Sequence, residues 1–305
     1  AESRQAAEKS AEIYRSLTGL PSHPVAAARL GYRRERAYWN AFPAEVAAVE
    51  DLSFDGGAGA MKLRFYRPAA AGRLPLLLYL HGGGYILGDL DTHDRIMRLL
   101  ARESGWAVLG IDYPLAPEAK FPTQIEAIAV LAGRLAELLG EREIETGRFA
   151  FAGDSAGANL SLSTTLALRD AGGPLPQGLL LYYGGFGLKD GLSRRLYGNA
   201  LDGLGERELE AYQTAYCRRP EDRDDPRYNL LAADLSGLPP CFVAAVPLDP
   251  LRDDSLALAE GLALEGVRCE LKRYEGVLHG FLHYSAVEPK AMAAIRDGAA
   301  FLATL

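Results

Sequence analysis

Short apolar, β-prone runs recur along this chain, and most are followed by a longer stretch with helical spacing. Leu74–Leu80 (LPLLLYL) predicts a buried strand, with a helix over Thr92–Glu103 after it. Trp106–Asp112 and Arg148–Ala152 predict the next strands, followed by helices over Pro122–Leu139 and Ala156–Asp170. Gly178–Tyr183, Cys241–Val246 and Val267–Tyr274 complete the set, with Leu256–Leu264 as the helix between the last two. Strands that are apolar throughout and alternate with helices indicate a mostly parallel sheet covered on both faces. Glu45–Phe54 and Met61–Arg67 flank Asp55-Gly56-Gly57 and predict an antiparallel hairpin at the sheet edge.

Two segments depart from this alternation. Residues 1–44 read as helices before the first strand, and residues 185–235 interrupt the sheet with polar, Tyr-rich helical stretches such as Glu206–Cys217. Together they are expected to form a composite helical cap over a core made of residues 45–184 and 236–305. No internal repeat or linker divides the chain.

Composition narrows the function classes. Of the 305 residues 49% are hydrophobic, enough for a sizeable core. The net charge of −7, from 40 acidic and 33 basic residues, works against binding a phosphate backbone. The densest basic run, Arg33-Arg34-Glu35-Arg36 within Tyr32–Trp39, reads as a solvated helix face. Cys217, Cys241 and Cys269 are odd in number and include no Cys-x-x-Cys pair, so neither a disulfide framework nor a zinc site is expected. Ala1–Ser10 lacks an apolar signal core, and the start at Ala1 leaves open whether a segment upstream was removed. A cytoplasmic location is expected.

Candidate chemistry sits at the ends of the predicted strands. Gly153-Asp154-Ser155-Ala156-Gly157 falls at a strand-to-helix junction, where glycines let a serine project from a tight turn. Chance alone gives roughly 0.15 such patterns in a chain of this composition, so the flanking strand and helix carry much of its weight. His81-Gly82-Gly83-Gly84 follows Leu80 directly, and chance gives only about 0.006 of these, so it discriminates better. Its glycines let backbone amides approach an oxyanion, and Gly83 and Gly84 are the expected donors, joined by Ala156, with Gly82 in reserve. No Lys-Ser/Thr follows, which rules out a phosphate-binding loop. A serine needs a neighbouring base. Of the five histidines, His279 follows the last predicted strand, with His283 as the rival. Asp249, just beyond Cys241–Val246, is the expected partner of that imidazole. Its rivals Asp253 and Asp254 sit where a helix begins, so N-terminal capping and dipole pairing account for them.

The order Ser155, Asp249, His279 is that of α/β-hydrolases. The combination of HGGG, GDSAGANL, DPLRDD and HGF, with Gly88–Asp94 (GDLDTHD) and Asp112–Glu118 (DYPLAPE), resembles the bacterial hormone-sensitive-lipase-like esterases from about residue 60 to the C-terminus. The resemblance implies an α/β-hydrolase fold with a helical cap, hydrolysis of short-to-medium acyl esters, and Gly83, Gly84 and Ala156 as the oxyanion hole. Three positions depart from the family pattern. Pro114 stands where an arginine is usual, Val246-Pro247-Leu248 precedes Asp249 in place of acidic or aromatic residues, and Gly157-Ala158 replaces a double glycine.

The expected function is a serine carboxylesterase working through an acyl-enzyme. An amidase, an acyltransferase or a carboxylesterase-related lyase on the same triad, and a non-catalytic binding protein that kept the pocket, are the rival readings. The expected partner is a small-molecule ester, with no nucleic acid, no membrane and no metal or organic cofactor. A homodimer through an exposed sheet edge stays open.

Overall fold

A computed structural model of the chain describes residues 2–57, 59–198 and 204–305. Helices α1 (Glu2–Ser16) and α2 (Pro24–Trp39) come first, then the strands β1 (Ala48–Asp55) and β2 (Ala60–Arg67). The doubly wound part follows as β3 (Leu74–Leu80), α3 (Asp94–Ser104), β4 (Ala107–Asp112), α4 (Thr123–Gly133), α5 (Leu135–Leu139), β5 (Ile144–Asp154), α6 (Ala156–Asp170) and β6 (Leu179–Tyr182). After α7 (Leu192–Leu196) and α8 (Glu206–Tyr216), the chain returns to the sheet as β7 (Cys241–Ala245), α9 (Arg252–Leu264), β8 (Cys269–Arg273) and α10 (Pro289–Leu302).

The strands lie in the order β1-β2-β4-β3-β5-β6-β7-β8. β3 to β8 run parallel, and the β1–β2 hairpin is added antiparallel at the β4 side. At its turn the Gly57 amide donates to Asp55 Oδ1 at 2.9 Å, the Asx geometry that Asp-Gly-Gly invites. Alternation of side chains then sorts the core into two layers. Leu76, Leu78, Leu109, Phe149, Phe151, Leu181 and Val243 face α4, α6 and α9, packing with Ile128, Leu162 and Leu258. Leu77, Tyr79, Val108, Ala152, Leu180 and Phe242 face α3 and α10, packing with Leu99, Ile295 and Leu302. Because both layers are closed, the central strands are apolar at every position, which is why they could be read as runs.

Three expectations shift. Pro122–Leu139 is two helices, because Arg134 leaves the helical region (φ −121°, ψ 18°) directly after Gly133. β5 begins at Ile144, four residues before the apolar run: Ile144 pairs with Leu74, and the register then shifts before Phe149 pairs with Leu76. α9 begins at Arg252 rather than Leu256, its acidic first turn being occupied in tertiary contacts described below. Cys217, Cys241 and Cys269 are free thiols. Among the described residues no helix is long and apolar enough to cross a membrane. Residues 199–203 of the expected cap segment lie outside the described residues.

Candidate active site

Adjacent parallel strands bring the two glycine motifs together. In the β3–β5 pair Leu80 lies opposite Gly153, so His81-Gly82-Gly83-Gly84 and Asp154-Ser155 leave the same carboxyl edge side by side. Ser155 occupies a left-handed backbone conformation (φ 53°, ψ −120°), a strain of about 1–3 kcal/mol for a residue with a side chain. Its neighbours explain how that turn is held. A Cβ on Gly153 would lie 2.3 Å from the Gly157 carbonyl, and one on Gly157 would lie 1.9 Å from the Leu80 oxygen. Both positions therefore require glycine, whereas Ala158, in place of the family's second glycine, packs in the core.

The other two residues arrive from β7 and β8. His279 Nε2 lies 3.0 Å from Ser155 Oγ, and His279 Nδ1 lies 2.6 Å from Asp249 Oδ2. Asp249 is fully buried, and its second oxygen accepts the Leu251 amide at 2.8 Å. The unusual Val246-Pro247-Leu248 forms a turn in which the Asp249 amide donates to the Val246 carbonyl at 3.2 Å, so the departure leaves the carboxylate in reach of the imidazole. Tyr183 packs edge-on against the His279 ring at 5.1 Å. The structure thus brings together Ser155, Asp249 and His279 as the sequence suggested.

The rivals are placed elsewhere. His283 is buried with Nε2 3.5 Å from the Tyr32 hydroxyl, and burial together with Arg36 and His93 holds its pKa well below the ordinary value. Asp254 Oδ1 accepts the amides of Phe186, Gly187 and Leu188 at 2.7–3.1 Å, and Asp253 Oδ2 accepts that of Ser193 at 2.8 Å. They lie in the acidic first turn of α9, where their charge meets the helix dipole as expected, but they make no side-chain cap; their carboxylates anchor the loop that leads from β6 into α7. The two loop oxyanion candidates Gly83 (φ 118°) and Gly84 (φ 60°) adopt backbone conformations that favour glycine. Among the described residues their amides and that of Ala156 donate to no protein acceptor. Gly82 does not qualify, because its amide already donates to Asp154 Oδ1 at 2.8 Å. The N-terminus of α6 adds its positive end to the same region.

Sequence reasoning passed over the layer beneath. Asp154 is buried, accepts the Tyr79 hydroxyl at 2.7 Å as well as Gly82, and lies 3.4 Å from His93 Nε2. Burial alone would raise its pKa, but His93, Tyr79 and Gly82 together hold it at about 2. His81 stacks on Tyr113, whose hydroxyl donates to the His81 carbonyl at 2.7 Å; burial and the neighbouring His93 push its pKa down to about 4. The signals were the Asp of the Gly-Asp-Ser block and the His of GDLDTHD, to which spacing alone assigns no role. His93, Asp154 and His283 offer ligand atoms within 4.8 Å of one another. The Asp154 oxygen is already committed to Tyr79 and Gly82, so this trio reads as support for the glycine loop rather than a metal seat.

Above these residues lies a cavity of about 560 Å³, lined by Ser155 and His279 below and by α1, α2 and α8 above. Comparison with known proteins follows the same lines. A family model described as alpha/beta hydrolase fold matches residues 77–283. An acetyl esterase of Salmonella schwarzengrund is 42% identical over 96% of this chain and 93% of its own, and one of Salmonella typhi is 43% identical with the same coverage. The hyperthermophilic esterase of the archaeon Pyrobaculum calidifontis superposes with a TM-score of 0.90 at 33% identity, covering 98% of this chain and 96% of its own. An ester hydrolase from the Lake Arreo metagenome, solved with a bipyridine phosphonate derivative, gives 0.90 at 33% identity over 99% and 97%.

Proposed function

Since the chain belongs to the alpha/beta hydrolase fold family and is a carboxylic-ester hydrolase of the hormone-sensitive-lipase-like group, we propose that it cleaves short-acyl esters through Ser155, His279 and Asp249. The observation that carries the residue assignment is the continuous chain from Asp249 Oδ2 to His279 Nδ1 at 2.6 Å and from His279 Nε2 to Ser155 Oγ at 3.0 Å.

In the first half-reaction His279 Nε2 takes the Ser155 proton as Oγ bonds to the ester carbonyl carbon. The carbonyl oxygen becomes an alkoxide and is met by the amides of Gly83, Gly84 and Ala156, each donor of this kind being worth about 10²–10³ in rate. When the tetrahedral species collapses, the C–O bond to the alcohol breaks and His279 returns the proton to the departing oxygen. Water then attacks the acyl-enzyme by the same route and releases the acid and free Ser155. Asp249 fixes the imidazole tautomer and offsets the imidazolium charge.

A short acyl group fits what surrounds Gly84. The Tyr212 ring of α8 lies so near that a Cβ on Gly84 would be 2.5 Å from it, and Leu204, Leu209 and Leu251 cluster with that ring. The acetyl specificity in the names of the Salmonella relatives agrees with such a closed apolar end. The test is Ser155→Ala, checked for native folding by circular dichroism and assayed on p-nitrophenyl acetate and butyrate. A loss of several orders of magnitude on both is expected; near wild-type turnover removes Ser155 from the mechanism.

A further inference from the structure

The wall of the cavity that α2 forms is polar, and its position says which half of the substrate it meets. This step rests on the esterase reading: His279 returns a proton to the departing alcohol, so the alcohol lies on the His279 side. From His279 the chain continues directly into residues 280–284, which pack on the N-terminal helices. There the Leu278 amide donates to Ser3 Oγ at 3.2 Å, Ser10 Oγ lies 3.4 Å from the Tyr284 hydroxyl, and the Trp39 and Tyr284 rings meet at 4.9 Å. The alcohol group therefore faces α1 and α2.

On α2, Ala28, Tyr32, Glu35 and Arg36 recur at helical spacing and line the cavity. A buried helical stripe is ordinarily apolar; this one carries an ion pair. Arg33 and Arg34 are exposed, as a solvated face requires, but the Glu35 side chain is 0% and that of Arg36 12% exposed. The sequence reading of a solvated run is corrected for these two. Glu35 accepts from Ser10 Oγ and from Trp39 Nε1 at 2.7 Å, and its other oxygen lies 3.0 Å from Arg36 Nη1. Arg36 lies over the Tyr32 ring at 4.7 Å, and its buried Nε finds no acceptor among the described residues.

A buried ion pair is a weak source of stability, because desolvation offsets most of the attraction. In a binding cavity such groups instead fix orientation and chemistry. Glu35 and Arg36 offset each other's charge, so a charged alcohol would leave an excess, and an alkyl alcohol would leave the part of the Arg36 guanidinium that faces the cavity without an acceptor. A hydroxyl both donates and accepts, which suits a wall that offers the guanidinium of Arg36 and the phenol of Tyr32, with the Glu35 carboxylate buried behind them. We propose that the alcohol half of the substrate is a neutral, hydroxyl-bearing one, a polyol or a sugar, held by Arg36 and Tyr32, with Glu35 positioning the Arg36 guanidinium from behind.

The experiment compares kcat/KM for two pairs of acetates matched in shape: glycerol monoacetate against 2-methylbutyl acetate, and 6-O-acetylglucose against cyclohexylmethyl acetate. Each rate is divided by that ester's alkaline hydrolysis rate, with acetic acid release followed by titration. The wild-type enzyme is expected to favour the hydroxylated member of at least one pair by about tenfold or more. The pair that shows it identifies polyol or sugar. Arg36→Met, Glu35→Gln and the milder Tyr32→Phe are expected to bring the ratio towards one. Wild-type ratios at or below one in both pairs overturn the proposal, as do variants that slow both members of each pair equally. Failure to hydrolyse any of the four would instead sink the esterase reading itself.

Discussion

Replacing Asp154 with Asn removes one charge while keeping the shape, and the structure sets how much that should cost. The wild-type carboxyl titrates at about 2 in the folded protein, against 3.8 for the free group, because His93, Tyr79 and Gly82 outweigh its burial. The difference corresponds to about 2 kcal/mol of folding stability at neutral pH. The folded value lies below the unfolded one, so this contribution is complete above pH 4 and is lost as pH falls towards 2. Roughly half of it should remain at pH 3. Urea unfolding of wild type and Asp154→Asn at pH 7 and pH 3 measures both: the variant should be less stable by about 2–4 kcal/mol at pH 7, and the gap should narrow by about 1 kcal/mol at pH 3. Activity reads the other consequence. The Gly82 amide is held by this carboxylate at 2.8 Å, next to the oxyanion donors, so kcat on p-nitrophenyl acetate should fall about 10–100-fold with a smaller change in KM. A gap that stays constant with pH, or a variant as stable and active as wild type, would refute the reasoning.

Other perturbations follow from the same geometry. Asp249→Asn should lower kcat by about 10³–10⁴-fold, since the amide favours the wrong imidazole tautomer; a drop under tenfold in steady-state assays would contradict its orienting role. Gly157→Ala should cut activity at least about 100-fold or prevent soluble folding, because its Cβ would be 1.9 Å from the Leu80 oxygen. Gly133→Ala, where a Cβ meets nothing within 4 Å, should be neutral or stabilising by up to about 1 kcal/mol in thermal melts. His81 is held at about 4 against 6.5 by burial and His93. Unfolding therefore takes up a proton between these values, and about 3 kcal/mol of stability is lost as pH falls from 6.5 to 4. His81→Gln should flatten that part of the stability curve, and an unchanged slope would show that another group is responsible.

The central strands were legible because a sheet covered on both faces leaves no polar positions, so Leu74–Leu80 appears as an unbroken run with its observed limits. The start of β5 at Ile144 was not, since Glu145, Thr146 and Gly147 carry no apolar pattern and lie in a register shift between the Ile144–Leu74 and Phe149–Leu76 pairs. Ser155, His279 and Asp249 were found by chain order and by position at strand ends, which topology turns into proximity. The role of Asp254 was misjudged because local spacing shows its own helix but not the amides of Phe186 to Leu188, 66–68 residues away. Glu35 and Arg36 were misread for a similar reason. In a charged run only the direction of each side chain separates solvent from cavity, and α1 supplies the surface that decides it.

A fluorophosphonate probe gives the most direct measurement of the central claim, because it reacts only with a serine that an adjacent base has activated. Intact-mass and peptide mass spectrometry should show one adduct per chain, on Ser155, formed rapidly in wild type, and His279→Ala should label far more slowly while remaining folded. Labelling at another serine, or equal rates with and without the His279 imidazole, would contradict the account.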